Sequence, residues 1–168
     1  VLNPGLKLVP KERNCNGSME REFFCIDKTE SMQKALQIYP ILFVEGAAAT
    51  GKTTAVNMLL RSVWPVQNLY IYDMVLECED FLAFEEKMKC LKTQMQSYVV
   101  SKKDPGSDCA KDKDSWYVVF ENLHKVSDEA VLGVILDVLY YMSSNLDIGK
   151  CICISREKPD KAFLPFHP

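Results

Sequence analysis

The sequence predicts an α/β fold, a mostly parallel sheet with helices on both faces. Three observations carry that expectation. Four short, unbroken apolar runs read as buried strands: Ile41-Leu42-Phe43-Val44, Leu69-Tyr70-Ile71-Tyr72, Trp116-Tyr117-Val118-Val119-Phe120 and Cys151-Ile152-Cys153-Ile154. Segments with apolar residues spaced at three and four alternate with them, at least three times along the chain. And Gly46-Ala47-Ala48-Ala49-Thr50-Gly51-Lys52-Thr53 fits G-x-x-x-x-G-K-[ST] without a mismatch, at a strand-to-helix junction.

The elements follow in order. Residues 1–22 hold Pro4, Gly5, Pro10, Asn14, Asn16 and Gly17 with no sustained period, so an irregular segment is expected ahead of a domain spanning 23–168. Met32, Ala35 and Leu36 mark a helix with Asp27 or Thr29 as its cap, ended by Tyr39-Pro40. The first strand is broken by Gly46. Ala55, Val56, Met58, Leu59, Leu60 and Val63 then give a wide apolar helix face, stopped by Pro65. The second strand ends at Asp73. Phe81, Leu82, Phe84, Met88, Leu91, Met95 and Val99 place a helix over 79 to about 100.

Ser101 to Ser115 is read as a solvated loop, because it holds Pro105 and Gly106 and sets Lys102, Lys103, Lys111 and Lys113 against Asp104, Asp108, Asp112 and Asp114. After the third strand, Ser127 is expected to cap a helix with Glu129 and Ala130 in its first turn. Val131, Val134, Ile135, Val138, Leu139 and Met142 form that helix's apolar face. No internal repeat is present.

Composition narrows the function classes. With 48% hydrophobic and 26% charged residues, a wholly disordered chain is excluded. A net charge of −3, from 20 basic and 23 acidic residues, excludes a chain-wide basic coat for nucleic acid and leaves room for a local patch. The apolar runs fall far short of the roughly 20 residues that span a bilayer, and no signal-peptide pattern opens the sequence. Seven cysteines make no CxxC pair, and His124 and His167 are the two histidines, so a zinc site is not expected. The cysteines read as reduced thiols of a nuclear or cytosolic protein. Cys151 and Cys153 belong on one face of a strand as small core residues.

The chemistry concentrates at the glycine-rich motif. Gly46 and Gly51 let the backbone curl so that its N–H groups converge on one anion, and the start of the following helix adds its positive end. Lys52 can reach β- and γ-phosphates, and the Thr53 hydroxyl can hold Mg²⁺. The nucleotide-binding set is Gly46, Ala47, Ala48, Ala49, Thr50, Gly51, Lys52, Thr53 and Thr54, with ATP and Mg²⁺ as the ligands expected. Such proteins hold Mg²⁺ through a second acid at the end of a neighbouring strand. Glu121, closing the third strand, is the candidate metal ligand beside Thr53, acting directly or through water.

Asn122 stands where a catalytic Glu often follows that acid. An amide takes no proton from water, so the chain is expected to hydrolyse ATP weakly or not at all on its own. Glu45 and Asp73 also end strands at the carboxyl edge of the sheet, where open α/β sheets bind ligands. Ser155, ending the fourth strand, is the sensor candidate beside the γ-phosphate; Arg156 reads more simply as a surface arginine than as an arginine finger.

These residues carry a family resemblance. Ile41–Thr54, the stretch NLYIYDMVLECEDFLAFEEKM over 68–88, and Trp116–Lys125 with the helix after it resemble the AAA+ ATPases of the initiator type, and within them the subunit 5 family of the origin recognition complex. Glu77-Cys78 and the degenerate acidic element are the more specific parts. The resemblance implies a three-layer αβα P-loop NTPase of AAA+ design, acting in the nucleus within a ring of other origin recognition complex subunits on origin DNA, with no membrane role. ATP serves there as structural glue rather than fuel. It also implies that Cys25–Lys28 lies near the adenine, and that the AAA+ core here stops before the helical lid with its fifth strand left open. Glu121 departs from the family's Asp. The alternatives are a small phosphate-loop kinase, disfavoured because Arg61 is the one arginine between Lys52 and Ser101, and a regulatory signalling NTPase.

Overall fold

All four apolar runs join one sheet in the computed structural model, which describes residues 6–9, 23–26, 29–46, 51–62, 68–102, 116–145, 148–158 and 160–166. The strands are β1 (Leu6–Val9), β2 (Phe23–Ile26), β3 (Ile41–Glu45), β4 (Asn68–Asp73), β5 (Trp116–Glu121) and β6 (Gly149–Ser155). The helices are α1 (Thr29–Ile38), α2 (Lys52–Ser62), α3 (Met74–Glu77), α4 (Phe81–Lys102) and α5 (Glu129–Ser144). Short 3-10 turns occupy Leu123–Lys125 and Lys161–Phe166. The main sheet runs β3-β6-β5-β4, parallel throughout, while β1 and β2 form a separate antiparallel pair.

The order explains where the helices go. From β3 the chain passes over two strand positions to β4 at the far edge, then returns through β5 to β6. Parallel crossovers are right-handed, so reversing direction across the sheet moves the connecting helix to the other face. Accordingly α2 packs with α1 on one face, and α4 and α5 cover the other.

Strand alternation divides the core in two. Trp116, Val118 and Phe120 of β5 and Cys151 and Cys153 of β6 join the α4/α5 cluster; Tyr117, Val119, Ile152 and Ile154 join Met32, Leu36, Val56, Leu59 and Leu60 of α1 and α2. Each large side chain so buried contributes roughly 1.5–3 kcal/mol. Cys151 and Cys153 lie on one face, as expected, with their sulfurs 4.0 Å apart. Cys78, Cys90, Cys151 and Cys153 are free thiols. No helix of the described residues is long and apolar enough to cross a membrane.

Several expectations need correcting. Leu6–Val9 is a strand inside the segment read as irregular; its register with Phe23–Ile26 supplies hydrogen bonds that local sequence does not announce. The cap of α5 is Asp128, not Ser127: its carboxylate accepts from Ala130 N at 2.8 Å, closing the first turn from one position later. The single-turn helix α3 separates β4 from α4, capped by Asp73 accepting from Val75 N. In α4, Leu82 points outward at 76% exposure rather than joining the apolar face. Ser101 and Lys102 belong to α4, and the rest of the expected loop, 103–115, lies outside the described residues, as do Asp27, Val63 and Pro65.

Candidate phosphate-loop site

Gly46 and Gly51 bracket the junction between β3 and α2. The Gly46 N–H donates to the Ser155 carbonyl at 3.2 Å, extending the β3–β6 ladder in which Glu45 faces Ser155. Gly51 has a φ of +81°, the left-handed region that side chains disfavour, and a Cβ there would meet nothing within 4 Å. Conformation, not crowding, therefore demands glycine. The Gly51 carbonyl accepts from Ala55 N at 2.9 Å and opens α2, so Gly51 and the helix start are one unit. Lys52, the first helical residue, folds back so that its ammonium donates to the Gly46 carbonyl. Thr53 and Thr54 are exposed on the first turn. Ala47, Ala48, Ala49 and Thr50 lie outside the described residues, as does Lys28 of the stretch expected near an adenine.

Glu121 ends β5 directly opposite Asp73 of β4. By strand alternation both belong to the α1/α2 face, the side on which α2 leaves the loop. Partial burial, then the neighbouring charge of Asp73, pushes the Glu121 carboxyl above its ordinary value. A close acidic pair of hard oxygen donors suits a divalent cation, which would offset both causes.

Asp73 is already employed. It caps α3 and accepts from Asn122 Nδ2 at 2.9 Å. Asn122 itself has a φ of +57°, which asparagine tolerates better than most residues. The position after the acid thus turns the chain and ties β5 to β4, and it carries no base.

Ser155 is buried, and its hydroxyl closes its own turn, donating to the Glu157 carbonyl at 2.6 Å and accepting from Glu157 N at 3.3 Å. Alternation places it on the α4/α5 face, with Glu45. Sensing a phosphate would require that hydroxyl to leave the Glu157 carbonyl. Arg156 is exposed.

Sequence reasoning passed over His124 as a site residue. It sits on the turn three positions after Glu121, and its Nδ1 accepts the Arg156 N–H at 3.1 Å. Its Nε2 is closed off from solvent with no hydrogen-bond partner among the described residues, an arrangement that costs about 1–3 kcal/mol. No local pattern marks it; the contact exists because β6 lies beside β5 and delivers Arg156 to the end of that strand.

Neither the models of known protein families nor the curated proteins compared with this chain match it.

Proposed function

We propose that this chain is an ATP-binding module of AAA+ design, of the kind found in subunit 5 of the origin recognition complex. ATP held with Mg²⁺ braces the module against neighbouring subunits, and the assembled complex engages origin DNA in the nucleus. The observation that carries the nucleotide reading is the intact G-x-x-x-x-G-K-T motif between β3 and α2, with left-handed Gly51 opening the helix and the Lys52 ammonium donating to the Gly46 carbonyl. Backbone donors, the helix start and one ammonium together suit a polyphosphate.

The initiator assignment rests on sequence resemblance and on a sheet order compatible with it. Thr53 and Glu121 would hold the magnesium. β6 lies between β3 and β5, which separates their axes by about 10 Å, and this favours a contact from Glu121 through water. Weak turnover fits the engagement of Asn122 with Asp73.

Nucleotide binding measured beside phosphate release tests the reading. Mg²⁺-ATP is expected to bind, Lys52→Ala to weaken it at least tenfold, and steady-state hydrolysis to be near background. Rapid phosphate release, or phosphate transfer to a small acceptor, would replace this reading with a hydrolase or a kinase. Co-purification with origin complex subunits checks the cellular role.

A further inference from the structure

We propose that His124 is a residue of the nucleotide site, donating a hydrogen bond from Nε2 to the terminal phosphate of ATP and so setting a preference for ATP over ADP. This inference rests on the nucleotide reading above. The geometry supplies it in three steps.

First, the tautomer is fixed. The Arg156 N–H can only donate, so Nδ1 must present its lone pair, and the proton of the neutral ring sits on Nε2. A ring held this way cannot act as a base at Nε2. It donates, so His124 does not restore the proton acceptor that Asn122 lacks.

Second, the ring is kept neutral. Burial lowers its affinity for a proton, as do the charges of Lys125 on the same turn, Arg156 after β6 and Lys52 on α2; Glu157 opposes them. A second proton would also set an Nδ1–H against the Arg156 N–H.

Third, the donor lacks an acceptor and belongs to the right neighbourhood. Nε2 has no hydrogen-bond partner among the described residues and is closed off from solvent, so a phosphate oxygen reaches it only once its cover shifts. Arg156 follows Ser155, whose carbonyl holds Gly46 N, and Gly46 in turn accepts from Lys52. His124 is therefore joined through the end of β6 to the first residue of the phosphate loop. The terminal phosphate of a nucleotide seated there brings oxygen acceptors to this edge, and an ADP lacks that group. The hydroxyl of Ser155, the sensor candidate in the sequence, is occupied by Glu157.

The test is the ATP-to-ADP affinity ratio, measured with the full chain by competition against a fluorescent nucleotide. His124→Asn keeps an oxygen for the Arg156 N–H and removes the Nε2 donor. It is expected to weaken ATP about tenfold while leaving ADP within twofold, a split that loss of a purely structural role would not produce. An unchanged ratio with nucleotide still bound overturns the inference and leaves the nucleotide reading standing. Failure of the wild-type chain to bind either nucleotide overturns both.

Should the variant not fold, imidazole ¹⁵N spectra of the wild type decide, with His167 as the internal control. The Nε2–H tautomer is expected throughout, with its proton moving downfield on adding ATP but not ADP. The Nδ1–H tautomer, or equal responses to the two nucleotides, overturns the inference.

Discussion

Glu121 illustrates how one side chain records both the fold and its chemistry. Its carboxyl is held above the ordinary value of 4.5 by burial and then by Asp73 across the strand pair. The native state therefore binds the Glu121 proton more tightly than the unfolded state does. That preference stabilises the fold at low pH and is lost as pH rises from 4.5 through the raised native value. Glu121→Gln removes the loss. The variant is expected to melt above the wild type at neutral pH without Mg²⁺, the gap closing as pH falls toward 4.5, and to bind Mg²⁺-ATP less well. Thermal melts across pH check this; a variant that melts lower at neutral pH would place the carboxylate in a favourable contact instead. The acid at this position was legible, because an apolar run ending in Glu121 is a local signal. Its pairing with Asp73 and the tie from Asn122 to Asp73 were not, because both need the register of β4 against β5.

At the scale of elements, the same substitution should have opposite signs at two glycines. Gly149 begins β6 beside Trp116, and a Cβ there would collide with the Trp116 carbonyl oxygen and stand 2.7 Å from its carbonyl carbon. Backbone atoms cannot give way as a flexible side chain does, so Gly149→Ala is expected to cost at least about 1–3 kcal/mol. Gly133 lies inside α5, exposed, with nothing within 4 Å of its missing Cβ. Gly133→Ala is expected to stabilise by about 0.5–1 kcal/mol through lower unfolded-state entropy and better helix propensity. Denaturant titrations of both variants measure the contrast; destabilisation by Gly133→Ala would mean α5 meets a neighbour on that face.

The longer elements were legible for a simple reason. Helices α2, α4 and α5 are long enough for their apolar spacing to repeat, and buried strands β5 and β6 are uniform apolar runs. A period needs several turns to show itself, so one-turn α3 is invisible to it and is set instead by Asp73 capping Val75. Strand β1 is four residues whose partner stands 14 or more positions away, and its hydrogen bonds are dictated by that partner.

For the whole molecule, the parallel α/β class followed from alternation, but the strand order did not. Only the order places β6 between β3 and β5, and this brings Ser155 to Gly46 and Arg156 to His124. The proposed nucleotide site thus draws on β3, β5, β6 and α2 together, and a ligand bound there should stabilise the sheet as a unit. A ligand that binds only the folded state adds about 2.7 kcal/mol at a hundredfold excess over its dissociation constant. For a chain of 168 residues that corresponds to a rise in melting temperature of roughly 5–10 °C. Mg²⁺-ATP is expected to produce that rise in the wild type and to lose it in Lys52→Ala at the same concentration. A full rise in Lys52→Ala would move the site away from the phosphate loop. A rise confined to one region in hydrogen exchange would show that nucleotide braces the loop without bracing the sheet. The expected pattern is protection at β3, β5 and β6 together, because Gly46, Glu121, His124 and Ser155 sit on those strands' ends or the turns that leave them.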